Sequence, residues 1–313
     1  MKNLALSLIA AAGSILPDRA WRLIWKTMLR NDRLIDSQGW QFFGEFADRL
    51  NVNSVGVLGE YGAMSSSPHD AVILKEYAQQ RRWAATTNAL IREFFDQTTG
   101  TYFDIGANIG MTTVPIASTT NVVCHAFEPE PTNFKNLSRN VRLNCSGENV
   151  TLHQMALFDR KSTLSFELSD SNLGDHRIRL NGSSVPSLLN ETTRPVIEVP
   201  CVRLDDLDIP VAGRFFAKID TQGAEPFIIA GGGATLAKAD VILTEWSPYL
   251  MRRMSGDPFV VIQFLRENFS QGAINQGDAT SAPMQPISDL CNALAQTLSS
   301  FAGMEYADVV VRK

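Results

Sequence analysis

Residues 102–110 form a short stretch whose residue types and spacing could bind a charged cofactor. Aromatic and branched residues at 102–105 predict a buried strand. Gly106 and Gly110 predict a turn, and residues 111–117 can open a helix. Glycines let the backbone pass close to a ligand, and N–H groups at a helix start bind a negative group. The stretch therefore predicts a nucleotide-cofactor site.

The glycine spacing separates this turn from the dinucleotide fingerprint, which needs glycines in the pattern G-x-G-x-x-G. Here Gly106 and Gly110 flank Asn108, and position 111 is Met, so the third glycine of that pattern is absent. An oxidoreductase that uses NAD stays an alternative, because it shares the strand, the turn and an acid at the end of the next strand.

Two later stretches place acids at the ends of predicted strands. Glu128 follows the second strand within the sequence AFEPEP, and Asp220 closes the fourth within AKIDTQGAE. Ligands collect at the carboxyl ends of the strands in open α/β sheets. A carboxylate there can accept hydrogen bonds from both hydroxyls of a ribose. Glu128 is therefore predicted to bind a ribose, and the alternative is an exposed acid at a strand end.

The three stretches, in this order and at βα spacing, resemble the FkbM family of S-adenosylmethionine-dependent methyltransferases. The resemblance implies an α/β fold, a doubly wound Rossmann-like sheet that is mostly parallel with an antiparallel last strand. It also implies S-adenosylmethionine as the cofactor. Many relatives have Glu where this chain has Gln222, so we expect no metal site. A non-catalytic cofactor-binding module on the same fold is a second alternative, since fold does not settle function.

The resemblance assigns parts of the cofactor to individual residues. Asp104 would face the amino group of the methionine part, or would cap the glycine loop by accepting backbone N–H bonds. Asn108 and the loop amides would take the methionine carboxylate, and the adenine would lie near the end of the third strand. The expected cofactor residues are Asp104, Gly106, Ala107, Asn108, Gly110, Glu128, Met155 and Ala156.

Three residues are candidates for the catalytic base. Asp220 would lie beside the sulfonium and the methyl acceptor, and the alternative is that it caps the helix that follows. His176 is the only histidine in the polar loop at 169–195, and Glu245 closes the fifth strand. For its position and charge we expect Asp220 to be the base. Lys218 is expected to be a neighbour of Asp220 rather than a catalyst.

Alternating strands and helices from residue 101 onward predict the doubly wound sheet. An insertion at about 160–212 is expected to add an antiparallel pair, 163–168 with 196–202, and a polar loop that contacts the substrate. The strands of the main sheet are expected at 102–105, 122–127, 150–157, 215–220, 241–245 and 307–312. Helices are expected at 112–119, after Pro131 and at 259–268.

Residues 1–97 are expected to form a helical cap ahead of a methyltransferase domain at 98–313. Helical spacing is clear at 18–50, where Trp21 and Trp25 share a face, and returns at 70–95. The cap would cover the substrate side, and packing or homodimerisation is the alternative. Residues 1–15 resemble a secretory signal but lack a clear cleavage site, so we expect a retained amphipathic or packed helix.

Composition restricts the partners and the compartment. The net charge is −5, and no run of Lys and Arg exceeds two residues, which disfavours nucleic acid. The four cysteines are far apart without a C-x-x-C pair, which fits a reducing cytoplasm. The first apolar run is too short to span a membrane. We therefore expect a cytoplasmic enzyme that methylates a hydroxyl of a small polar molecule, sugar or glycolipid.

Overall fold

The computed structural model describes residues 37–146, 148–169, 172–180, 193–275, 282–300 and 305–313. The helix expected at 1–15 and the face with Trp21 and Trp25 lie outside these ranges. The described residues form two compact units. The first contains those up to Trp83 together with 172–174, and the second contains the others.

The first unit contains a β-hairpin between two helices. The hairpin pairs Val55 with Ser66. Buried Asp70 follows the hairpin and accepts hydrogen bonds from the Ile73 N–H (3.0 Å) and the Ser66 hydroxyl (2.9 Å). The elements are α1 (Ser37–Arg49), β1 (Val55–Gly59), β2 (Gly62–Ser66) and α2 (Ile73–Gln80).

The prediction of one helix over 70–95 is wrong. Helix α2 ends at Gln80, and a new helix, α3, starts at Ala85. Arg81 (φ 61°) and Ala84 (φ 44°) adopt left-handed backbone conformations. These conformations end the hydrogen bonding of α2 before that of α3 begins. Neither residue type marks such a break in the sequence.

The second unit is an α/β fold around one eight-stranded sheet. Its first elements are α3 (Ala85–Phe94), β3 (Gly100–Ile105), α4 (Thr113–Thr119), β4 (Val123–Phe127), α5 (Pro131–Asn144) and β5 (Val150–His153). The insertion contains β6 (Ala156–Leu157), β7 (Ser162–Glu167), β8 (Arg177–Ile178) and β9 (Val196–Val202). The remaining elements are β10 (Arg214–Ile219), α6 (Glu225–Leu236), β11 (Val241–Trp246), α7 (Pro248–Arg253), α8 (Pro258–Asn268), β12 (Gln271–Asn275), β13 (Gln285–Pro286), α9 (Ile287–Ser300) and β14 (Ala307–Arg312).

The order of strands in the main sheet fixes where a ligand can bind. The order is β13-β12-β14-β11-β10-β3-β4-β5, and β11, β10, β3, β4 and β5 run parallel to one another. The chain passes outward from β3 to β5 and then returns to β10 on the other side of β3. The carboxyl ends of β3 and β10 therefore meet at a topological switch point, the position where open α/β sheets bind ligands.

The expected antiparallel last strand is confirmed, because β14 pairs antiparallel with β11 from Val241 opposite Arg312 onward. Beyond it, β12 and β13 extend the sheet with two more antiparallel strands. The sequence did not reveal these two, since β13 has only two residues and β12 begins with Gln-Gly. Glycine and polar residues at a strand start carry little β signal.

Both faces of the sheet are buried, which explains the continuous apolar character of its strands. Phe103, Phe127 and Phe215 belong to the larger core on one face. Tyr102 and Phe216 lie in the core on the opposite face with residues from α3 and α4. Because side chains alternate along a strand, Asp104 and Lys218 share this second face with Tyr102 and Phe216.

The third strand expected at 150–157 divides in two. Strand β5 ends at His153, and Ala156 and Leu157 instead pair with Cys201 and Val202 of β9 in a separate four-stranded sheet. The expected antiparallel pair in the insertion is confirmed by β7 and β9, which pair Ser162 with Cys201 through Glu167 with Val196. A continuous apolar run cannot show at which residue a chain changes sheets.

Candidate functional site

Asp104, near the end of β3, is fully buried at the switch point. Its Oδ2 accepts hydrogen bonds from the hydroxyls of Thr112 and Thr113, each at 2.6 Å. Its Oδ1 has no hydrogen-bond partner in the described part of the chain. Two hydroxyls at the start of α4, rather than backbone N–H groups of the glycine loop, therefore donate to this oxygen. The second oxygen faces the Lys218 ammonium at 3.6 Å and could still accept a hydrogen bond from a further cation.

The glycine loop after β3 has an unusual backbone. Gly106 (φ +86°), Asn108 (φ 51°) and Gly110 (φ +90°) lie in the left-handed region. A Cβ at position 106 would come within 1.9 Å of the backbone oxygen of Asp220. Only glycine therefore lets the loops after β3 and β10 approach each other this closely.

The loop amides already donate within the chain. Gly106 and Ala107 donate to the Phe127 carbonyl at 3.1 and 2.9 Å, and Gly110 donates to the Ala107 carbonyl at 2.8 Å. Asn108 N–H donates to Glu128 Oε2 at 2.9 Å. A cofactor carboxylate would have to share these donors, so the expected amide role requires a rearrangement of the loop. The side chains of Asp104, Asn108 and Glu128 are better placed for the proposed contacts.

Glu128 links β4 to this loop. Besides the Asn108 N–H, its carboxylate accepts the N–H of Glu130 at 2.8 Å through Oε1. Burial, only partly offset by these hydrogen bonds, raises the pKa of Glu128 to about 8. Each carboxylate oxygen has a second lone pair, so two further donors such as ribose hydroxyls can be accepted.

Two buried asparagines, which the sequence pattern did not single out, hold the loop from behind. Asn140 of α5 donates to the Ile109 carbonyl at 2.8 Å, and Asn88 of α3 donates to the Met111 carbonyl at 3.1 Å. The signal was present in α5, where Asn133, Asn136 and Asn140 recur with helical spacing and are buried. Leu143 of the same helix is 54% exposed and does not share this buried face.

Lys218 lies on β10 and Asp220 directly follows that strand. Both residues are next to the glycine loop. The Lys218 ammonium lies 3.2 Å from Asp220 Oδ2 and 3.6 Å from Asp104 Oδ1. The expected neighbour relation between Lys218 and Asp220 is thus present. The side chain of Asp220 is 44% exposed, and Glu225, rather than Asp220, accepts the N–H and hydroxyl of Thr221 at the start of α6.

Gln222 connects Asp220 to Glu245. Its Nε2 donates to Asp220 Oδ1 at 3.3 Å and to both oxygens of Glu245 at 3.2 Å. Burial and the nearby Asp220 carboxylate raise the pKa of Glu245 well above its usual range. Across the part of the chain that the structure describes, no cluster of His, Cys, Asp and Glu could hold a metal.

His176 lies just before β8, and the adenine candidates lie in β6 and just before it. His176 Nδ1 accepts the Ser169 N–H at 2.9 Å, so the neutral ring carries its proton on Nε2. In that state the ring has no lone pair for a substrate proton. Ala156 is buried in β6, and Met155 is partly buried in the loop between β5 and β6, within the range expected for the third strand.

These residues fit an S-adenosylmethionine molecule on two observations. The buried Asp104 Oδ1 lacks a hydrogen-bond partner and suits an ammonium group, and the Glu128 carboxylate has lone pairs left for hydroxyls. Both lie at the carboxyl ends of adjacent parallel strands, β3 and β4. The fold and the site together define a Rossmann-like, nucleotide-cofactor enzyme.

Residues 104–270 match the family model described as the methyltransferase FkbM domain. The chain therefore belongs to the FkbM methyltransferase family. It is a methyltransferase, and its cofactor is S-adenosylmethionine. No curated protein sequence matches the chain significantly.

Solved structures of methyltransferases are similar at low identity. Precorrin-6y C5,15-methyltransferase from Geobacter metallireducens is 15% identical, with a TM-score of 0.34 over 72% of this chain and 88% of that one. TYW2 from M. jannaschii, solved with AdoMet, is 14% identical, with a TM-score of 0.40 over 83% and 85%. A putative O-methyltransferase from Klebsiella pneumoniae is 11% identical, with a TM-score of 0.37 over 73% and 79%. At these identities no substrate carries over to this chain.

Proposed function

We propose that this methyltransferase transfers the methyl group to a hydroxyl of a small polar molecule, sugar or glycolipid. The observation that carries the proposal is the half-exposed carboxylate of Asp220, held against Lys218 at the switch point. A carboxylate accepts hydrogen bonds and can take the proton of a hydroxyl. Beside an amine acceptor it would instead stabilise the protonated, non-nucleophilic ammonium.

The cofactor would be held by side chains from three consecutive strand ends. Asp104 Oδ1 would meet the amino group, Asn108 the carboxylate, and Glu128 the ribose hydroxyls. Met155 and Ala156 would contact the adenine. When bound, the cofactor supplies an activated methyl group on a sulfonium.

The chain's own residues would align the acceptor and remove its proton. Alignment of this kind supplies up to roughly 7–11 kcal/mol of the barrier. Asp220 would accept the hydroxyl proton, which adds about 10²–10⁴-fold in rate. His176 and Glu245 are the other candidates. The Ser169 N–H occupies the Nδ1 lone pair of His176. Burial, first of all, raises the pKa of Glu245 and so favours its protonated form, which cannot take another proton.

Membership of the FkbM family decides against the NAD-dependent oxidoreductase and the non-catalytic module. Acceptor choice would depend on the region at 1–97, as a cap, and on the insertion at 160–212. We further propose that the protein acts in the cytoplasm, where the cofactor is made and unpaired cysteines persist. In the ranges that the structure describes, no helix is long and apolar enough to cross a membrane.

The test is to incubate the protein with methyl-labelled S-adenosylmethionine and, separately, an extract of polar metabolites and a glycolipid fraction. We expect one labelled product whose methyl group survives alkaline hydrolysis, as an ether does and an ester does not. Label found on nitrogen, carbon or a carboxyl group would contradict a hydroxyl acceptor. The Asp220→Asn variant is the matched control for background labelling.

A further inference from the structure

Lys218 is a buried cation shared by two carboxylates on neighbouring strands. It is opposite Asp104 in the register between β10 and β3, and its ammonium lies 3.6 Å from Asp104 Oδ1 and 3.2 Å from Asp220 Oδ2. The side chain is only 10% exposed, and Asp104 is fully buried. The lysine thus joins the group proposed to hold the cofactor amine to the group proposed to act as base.

Several acids lie around Lys218 and its partner Asp220. Asp104 comes from β3, Asp220 follows β10, and Glu245 lies on β11. Glu225 opens α6, and Asp308 of β14 is opposite Glu245. Burial lowers the pKa of the Lys218 amine, but the Asp220 and Asp104 carboxylates outweigh burial and raise it. The lysine therefore stays cationic at neutral pH and offsets like-charge repulsion among these acids.

We infer that Lys218 is a positioning residue for methyl transfer, which keeps the Asp220 carboxylate oriented while sharing Asp104 with the cofactor amine. The inference rests on the proposed role of Asp220. The positioning role can be distinguished from a purely structural ion pair. If the role is structural, loss of the lysine loosens the cofactor site and weakens binding. If the role is positioning, loss of the lysine slows methyl transfer without weakening cofactor binding.

The charges around Lys218 determine whether its loss strengthens or weakens cofactor binding. Without Lys218, the buried Asp104 carboxylate loses its nearest cation and gains more from an incoming ammonium. Cofactor affinity in Lys218→Met should therefore equal or exceed that of the wild type. Asp220 would lose the ammonium that holds its carboxylate in place at 3.2 Å. Transfer should then slow by about 10- to 100-fold, because a misplaced base no longer meets the acceptor hydroxyl.

The experiment compares Lys218→Met, Lys218→Arg and the exposed control Lys238→Met by calorimetric titration with S-adenosylhomocysteine and by single-turnover transfer. We expect Lys218→Met to bind normally and transfer slowly. We expect Lys218→Arg to recover most of the wild-type rate and Lys238→Met to match the wild type throughout. A Lys218→Met protein with the wild-type rate would overturn the inference, and so would one that loses cofactor binding together with transfer.

A second measurement does not depend on activity or on the folding of Lys218→Met. The lysine side chains can be titrated by NMR, with Lys218 assigned from the Lys218→Arg spectrum. We expect Lys218 to lose its proton at lower pH in Asp220→Asn than in the wild type. No change would refute the shared ion pair. Full transfer activity in Asp220→Asn would instead refute the proposed base and leave the ion pair standing.

Discussion

At the scale of single residues, Glu128 combines two tasks that make its charge state informative. It holds the N–H groups of Asn108 and Glu130, and burial raises its pKa to about 8. Ribose hydroxyls that donate to this carboxyl group favour its ionised form. Binding of the cofactor should therefore expel a proton whenever the free enzyme is below pH 8.

The first prediction concerns this proton. Affinity for S-adenosylhomocysteine should rise as the pH increases from 6 towards 8, and calorimetry in buffers of different ionisation enthalpy should show proton release. Glu128→Gln should lose both effects, because an amide has no proton to release. Glu128→Ala should weaken binding by about 1.5–3 kcal/mol. An unchanged dissociation constant in Glu128→Ala would remove Glu128 from the ribose site.

The sequence could show the types of these residues but not their partners. Asp104, Glu128 and Asp220 stand out because each follows an apolar strand and precedes a turn. Gln222 and Lys218 carry weaker signals, since their contacts to Glu245 and Asp104 join residues far apart in the chain. Such contacts follow from strand order, which local patterns do not fix.

At the scale of elements, the glycine loop is fixed by backbone geometry and by two buried amides. The second prediction is that Gly106→Ala destabilises the protein and abolishes cofactor binding. The substitution places a side chain at φ +86° and against the Asp220 carbonyl, and left-handed strain alone costs on the order of 1–3 kcal/mol. The measurement is denaturant unfolding with calorimetric binding.

Gly233→Ala in α6 is the matched control, because its added Cβ meets only the Phe264 ring at 3.9 Å. A helix-interior glycine replaced by alanine should stabilise by about 0.5–1 kcal/mol. If both variants behaved alike, the loop geometry would not be the cause.

The third prediction concerns the amide behind the loop. Asn140→Leu should leave the Ile109 carbonyl without its donor, which costs about 1–3 kcal/mol of stability, and should weaken cofactor binding through the loosened loop. Asn144→Ala is the control, because the Asn144 side chain donates to the Asn140 carbonyl of its own helix and not to the loop residue Ile109. If Asn140→Leu is fully folded and binds the cofactor as tightly as the wild type, the loop needs no support from α5.

Element types were predictable where the apolar period was clear, and boundaries were not. The pair β7 and β9 follows the alternating pattern of pleated strands, and strand 307–312 contains a continuous apolar run. The break between α2 and α3 and the division of β5 from β6 depend on backbone conformations and pairing partners. Neither leaves a local trace in residue type.

At the scale of the whole molecule, every candidate cofactor and base residue belongs to the second unit. The fourth prediction is that a fragment of residues 84–313 folds cooperatively and binds S-adenosylhomocysteine with the affinity of the full chain. The reason is that Phe94 of α3 and the following residue, Phe95, pack with Phe216 in the core of this unit. Thermal unfolding and calorimetry test it, and a folded fragment that fails to bind would assign part of the cofactor site to the region before residue 84.

The central claim is that Asp220 takes the acceptor's proton during transfer from S-adenosylmethionine. The most direct test is single-turnover transfer to the acceptor found in the labelling screen, measured across pH on the wild type, Asp220→Asn and His176→Ala. We predict a loss of about 10²–10⁴-fold in Asp220→Asn with normal cofactor binding, and a wild-type rate in His176→Ala that stays flat from about pH 6 upward. Full activity in Asp220→Asn, or a wild-type rate that falls through about pH 6.5 and loses that dependence in His176→Ala, would contradict the account.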